Sequence, residues 1–262
     1  MNSNVKFKPW VGKNYEKGIL QGKKLMILGE SHYCANPETE ATEDITIKVI
    51  EDLLNPLSEH EGYKNTYTKF AKSVVGEKQF NEETKKDFWQ HVIFYNYVQT
   101  AISGARVAPT TEQFKNSEKA FFEVLSQYQP DLIIVWGKRL YNHLPQQGKQ
   151  LADLQISQGK YLGESSEVWS YTIGNKTIAL LPINHPSASM YELQYHKDLI
   201  KDMPIFPTET KKYRCRDCGE IYFLRVPSWE NDKKCPKCSS KKAIRVPLTP
   251  KEWWFIIKHP ML

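Results

Sequence analysis

No apolar run in this chain approaches the roughly 18 residues that a membrane-spanning helix requires. The amino terminus also lacks the continuous apolar stretch of a secretory signal. There is no internal repeat and no low-complexity segment, which argues against a solenoid or a linker-like chain. Cysteine is scarce: five among 262 residues, four of them in two Cys-x-x-Cys pairs. In a reducing compartment such pairs point to a metal before disulfides. These absences predict a cytoplasmic protein with no membrane partner, and a monomer is expected. What remains is ordinary globular composition, 40% hydrophobic and 25% charged, with chain enough for one large domain and a small module.

Positive charge is also missing from most of the chain. Residues 1–200 hold 22 Lys and Arg against 23 Asp and Glu, whereas residues 201–262 hold 14 against 7. The whole basic excess therefore lies at the carboxyl end. A nearly neutral body with a basic appendage suits a polyanion-binding accessory, with DNA as the expected partner.

Short all-apolar segments alternate with helical patterns through the body. Leu25–Leu28, His91–Phe94, Leu132–Val135 and Thr177–Leu181 read as buried strands, and residues 44–54, 63–75 and Ser117–Gln127 as helices. Such strands, separated by helices, predict a three-layer αβα domain over residues 1–203, built on a central four-stranded parallel sheet covered on both faces. Met203–Thr210, with two prolines and no periodicity, marks the boundary to a second domain at 211–262. Its end, Trp253–Ile257, is too apolar for a free tail and is expected to dock.

The second domain carries the most specific signal. Cys215-x-x-Cys218 and Cys235-x-x-Cys238, sixteen residues apart, fit a four-cysteine zinc ribbon. Four thiolates close a tetrahedron around one Zn²⁺ and leave no open position, so the metal is expected to be structural. Gly219 and Pro236 sit at the expected turns, and Ile221, Phe223 and Arg225 alternate with Tyr222 and Leu224 as in a ribbon strand. Cys34 stands apart as a semi-buried small residue.

In open α/β sheets ligands bind beyond the carboxyl ends of the strands. Three strand ends here carry chemically capable residues: Gly29-Glu30-Ser31-His32-Tyr33, then Tyr95-Asn96, then Asn184-His185-Pro186-Ser187. His60, His91, His143, His196 and His259 lack such settings and read as structural or surface residues.

In order and placement these endings, with Pro130–Gly137, resemble the uracil-DNA glycosylase superfamily over roughly residues 20–200. The family has a water-activating loop after its first strand, often Gly-Gln-Asp-Pro-Tyr-His or Gly-Glu-Ala-Pro-Gly, a base-reading Asn after a second, and a His-Pro-Ser loop after the last. The resemblance implies hydrolysis of the N-glycosidic bond of uracil or another modified pyrimidine in DNA, leaving an abasic site. By resemblance, Asn96 reads the base edge, His185 stabilises the departing base, and Tyr33 walls off its 5-position. Ser187 holds a phosphate, and Met190 fills the vacated stack. The chain departs from the family where Ser31 replaces the water-activating Asp and His32 the motif proline. Glu30 or His32 is then the candidate for orienting water. The altered loop leaves the base open, and an anti-phage glycosylase acting on a hypermodified cytosine is one alternative. A non-catalytic nucleic-acid-binding protein with a degenerate glycosylase fold is another. A Ser31/His185 esterase is a third, weakened because no carboxylate precedes His185 closely.

Overall fold

A computed structural model of the chain describes residues 3–104, 107–151, 153–203, 208–227, 235, 237–247 and 249. Pro207, Lys233, Lys234, Pro236, His259 and the Trp253–Ile257 tail lie outside these residues, as do the side chains of Lys211, Phe223, Leu224 and Arg225. The chain divides into two compact units, Met1–Pro204 and Ile205–Leu262. Among the described residues no helix is long and apolar enough to cross a membrane.

The strands of the first unit are β1 (Trp10–Val11), β2 (Leu25–Gly29), β3 (Val92–Asn96), β4 (Leu132–Trp136), β5 (Lys149–Gln150), β6 (Leu154–Gln155), β7 (Ser165–Ser166), β8 (Trp169–Ile173) and β9 (Lys176–Ile183). Its helices are α1 (Pro37–Glu40), α2 (Ile45–Leu54), α3 (Gly62–Val75), α4 (Glu82–Gln90), α5 (Thr111–Asn116), α6 (Glu118–Tyr128), α7 (Lys138–Asn142) and α8 (Leu193–Asp202). Seven strands form one sheet in the order β1-β3-β2-β4-β9-β8-β5. The four central strands β3, β2, β4 and β9 run parallel, and these are the four anticipated from the sequence. The expectation of a four-stranded sheet is corrected at its edges, where β1, β8 and β5 add antiparallel neighbours. Those edge strands are short or half exposed, so they carry no continuous apolar run to announce them.

Every residue of β2, β3 and β4 is buried, because helices cover both faces of the sheet. On one face Met26, Leu28, Ile93, Tyr95, Ile133 and Val135 pack with Phe114 of α5 and Phe121, Val124 and Leu125 of α6. On the other, Phe94 and Trp136 meet Tyr67 and Phe70 of α3 and Trp89 of α4 through edge-on and tilted rings. Local signals set the helix ends. Asn81 and Thr84 form a reciprocal capping box at the start of α4. At the far end of α6, Gln129 turns left-handed at φ 43° before Pro130.

The second unit contains β10 (Thr208–Cys215), β11 (Ile221–Pro227) and β12 (Ala243–Val246), paired antiparallel in the order β11-β10-β12. Its buried cluster is small: Tyr213, Tyr222, Cys215 and Cys235, with Ala243 against it.

Candidate functional site

The chain runs from β2 to β3 on one side and then crosses back to β4 on the other, so β2 lies where the strand order reverses. Beyond the carboxyl ends of β2, β4 and β9 opens a cleft of about 390 Å³. That is the position at which open parallel sheets bind ligands. Glu30 and Tyr33 reach it from β2, Trp136 to Arg139 from β4, and Asn184, His185, Ser187 and Met190 from β9.

The loop after β2 is held in extended form by backbone bonds. Val98 donates to the carbonyl of Glu30, Ile102 to that of His32, and Cys34 to that of Ile102. Glu30 is therefore fixed at the strand end, largely buried, and its two carboxylate oxygens accept a forked pair of bonds from Arg139, with Nε to Oε2 at 2.8 Å. Arg139 is half exposed at the start of α7. Such a bidentate pair sets the carboxylate plane as well as its charge. Gly137, at φ 98°, turns the chain between β4 and α7. A Cβ there would lie 3.5 Å from His185 Cβ, so the imidazole packs directly over this turn.

His185 has a defined tautomer. Ser187 N–H donates to its Nδ1 at 3.2 Å, and Ser187 Oγ lies 2.7 Å from the same nitrogen. A backbone N–H can only donate, so Nδ1 accepts and the proton of the neutral ring sits on Nε2. Burial lowers the His185 pKa; the Glu30 carboxylate partly opposes this, and Arg139 adds to it. The ring also meets Trp136 edge-on, with centroids 5.9 Å apart.

Other candidates are placed differently. Asn96 is buried and outside the cleft lining; its Nδ2 donates to His32 Nε2 at 3.1 Å. Gly29, its register partner, makes this possible, since a Cβ at Gly29 would stand 2.2 Å from Asn96 Oδ1. His32 is also buried outside the cleft, with Thr46 Oγ1 2.8 Å from its Nε2, and burial pushes its pKa down to about 4. Ser31 is buried, and its Oγ has no hydrogen-bond partner, His185 included. The strand ends thus bring Glu30, Tyr33, His185, Ser187 and Met190 to one cleft, and leave the buried Ser31, His32 and Asn96 out of its lining. Met190 is 70% exposed and free to meet a ligand. Cys34 is fully buried and not half-open as expected. Lys138 and Arg139 are the residues that sequence reasoning missed. Both follow a recognised strand directly, so the strand-end rule applied to β4 would have found them.

In the second unit the Sγ atoms of Cys215, Cys218, Cys235 and Cys238 all lie within 4.8 Å of one another, close enough to hold a metal ion. Cys215 and Cys238 are 3.5 Å apart, and Cys218 and Cys235 3.6 Å. Thiolates around a tetrahedral ion with metal–sulfur bonds near 2.3 Å stand about 3.8 Å apart, so the cluster has the right size. The two turns share one hydrogen-bond pattern. Cys215 N–H donates to Glu220 and Gly219 N–H returns to Cys215; Cys235 N–H donates to Ser240 and Ser239 N–H returns to Cys235. Both fourth-following residues are left-handed, Gly219 at φ 76° and Ser239 at φ 58°. Hydrogen bonds from the Cys218 and Asp217 backbone pull the Cys215 thiol down to about 7, towards the thiolate that a metal needs.

The chain matches no protein-family model, and no curated protein matches it.

Proposed function

We propose that the first unit is a monofunctional DNA glycosylase that releases uracil or another modified pyrimidine and leaves an abasic site. The observation that carries this reading is the His185 tautomer beside Glu30 at one strand-end cleft. A neutral imidazole donating through Nε2 suits a leaving base that departs as an anion. As the bond between sugar C1′ and base N1 breaks, the electron pair passes to the base, and the Nε2–H hydrogen-bonds its developing oxyanion. Water adds at C1′ and loses its proton to solvent or to Glu30. The Glu30 carboxylate, held by Arg139, orients that water and offsets positive charge on the sugar. Trp136 and Tyr33 supply walls for an extruded base, and Ser187 and Met190 lie where phosphate and stack would pass.

The four cysteines are read as a site for one structural Zn²⁺, whose chemistry is to hold two turns together with no open coordination position. The basic excess of this unit is read as a non-specific contact to DNA phosphates.

A non-catalytic nucleic-acid-binding protein is the second reading, and the Asn96–His32 pair favours it, because it keeps the base-reading amide out of the cleft. A base-release assay separates the two. Single- and double-stranded oligonucleotides bearing varied pyrimidines are incubated with the full chain, and free base is measured. Release with intact strands supports the glycosylase. Tight binding without release from any substrate supports the rival.

A further inference from the structure

A second cavity, of about 360 Å³, adjoins the cleft and shares two of its residues, Lys138 and Asn184. Each volume falls within the roughly 300–1,000 Å³ of small-ligand sites. The shared residues form the ridge between them, one from the start of α7 and one from the end of β9. Beyond this ridge the wall is built from Tyr141 of α7, Ser165 and Ser166 of β7, and Tyr195 and His196 of α8. Lys138 and Tyr141 stand three residues apart on one helix and so share a face.

We propose that this cavity is a subsite for the nucleotide adjoining the target in single-stranded nucleic acid, its base against Tyr141 and Tyr195 and the linking phosphate on Lys138. The inference rests on the reading of the first cleft as a nucleotide site. Two aromatic rings in a recess fit a base, whatever its identity, because every base offers a π face. Lys138 is exposed on the ridge, where a phosphate joining two recessed nucleotides must pass. Among the described residues lining the cavity, Glu167 is the single carboxylate, set against the Lys138 cation. His196 is buried, donates from Nδ1 to the Glu192 carbonyl 2.6 Å away, and meets Tyr195 edge-on at 5.2 Å, which steadies the Tyr195 ring. The strand preference follows from geometry. In a duplex the neighbouring base stays paired and stacked, and only an unpaired strand can lower two successive bases into two recesses.

Anisotropy titrations of the full chain with fluorescein-labelled tetrathymidylate and with a labelled blunt duplex test this. Tyr195→Leu is expected to weaken tetrathymidylate binding about 5- to 150-fold, the range of one lost base–aromatic stack. Duplex affinity is expected to stay unchanged, and Tyr195→Phe to bind as the wild type. If Tyr195→Leu does not fold, the exposed Lys138→Gln serves instead. It is expected to flatten the salt slope for tetrathymidylate by about 0.7, one phosphate on a single strand. Unchanged tetrathymidylate binding, or equal loss on the duplex, overturns the subsite. Because these readouts need no chemistry, a Tyr195-dependent affinity without base release would sink the glycosylase reading and leave the subsite standing.

Discussion

The two units of this chain differ in what their described residues place at the centre. In the first, β2, β3 and β4 are buried along their whole length between two apolar layers. Burial on that scale needs no cross-link. In the second, the described buried cluster is two tyrosines and two of the four cysteines, with Ala243 against it. On the zinc reading proposed above, the metal that the four cysteines can hold supplies cohesion by tying the two turns together. Chemistry divides in the same way. The large core supplies rigid strand ends on which Glu30 and His185 are aimed, whereas the small unit gathers its four cysteines into a cluster that could hold a metal ion.

Removing the metal is the strongest way to break this comparison. Structural zinc in small modules contributes about 10–16 kcal/mol of apparent binding energy, which is folding energy. Metal analysis is expected to find one zinc per chain, and Cys235→Ser or a strong chelator to unfold residues 205–262 while the thermal transition of the body persists. Joint loss of both transitions would show that the units are not energetically separate.

His185→Ala probes the other side of the contrast. Loss of one oxyanion donor costs on the order of 10²–10³ in rate, about 3–4 kcal/mol. Base release is expected to fall by that factor with the zinc content and duplex affinity unchanged. Full activity in this variant would misplace the site.

Acid distinguishes the units next. Burial holds the His32 pKa at about 4, against an ordinary value of 6.5. Below pH 6.5 the unfolded chain binds a proton that the folded body refuses, so stability falls as pH drops from 6.5 to about 4 and then levels off. The loss from His32 alone is about 3 kcal/mol. His185 and His196, also lowered by burial, act in the same direction. Urea midpoints of the body across this window are expected to show the slope, and His32→Gln to reduce it. An unaltered slope in the variant would assign the effect elsewhere.

The smallest effect sharpens the comparison inside the second unit. Gly219 and Ser239 occupy matching left-handed positions, and only glycine does so without strain. Ser239→Gly is expected to stabilise this unit by about 0.5–1 kcal/mol, read from its own melting transition. A lower midpoint would mean that the Ser239 side chain makes a contact worth more than the strain.

Much of this was legible from one dimension. Four apolar runs marked the parallel strands, because strands covered on both faces must be apolar throughout, and Cys-x-x-Cys spacing marked the four-cysteine cluster because two thiolates of one turn need that spacing to reach one ion. The same logic pointed to Glu30 and His185 as neighbours although they stand 155 positions apart in the chain. Tertiary structure alone decided the rest. The edge strands β1, β5 and β8 have too little buried face to leave a pattern, so only their pairing reveals them. Asn96 carries the residue type for base reading, but the close approach permitted by Gly29 turns its amide to His32. Arg139 acquired meaning only through its fork onto Glu30, a contact across the sheet that no local period encodes. Sequence determined which segments are buried and which residues end them, since burial follows from local composition. The direction of each side chain at those ends was settled by its neighbours in space, since sterics and hydrogen bonding act between segments far apart in the chain.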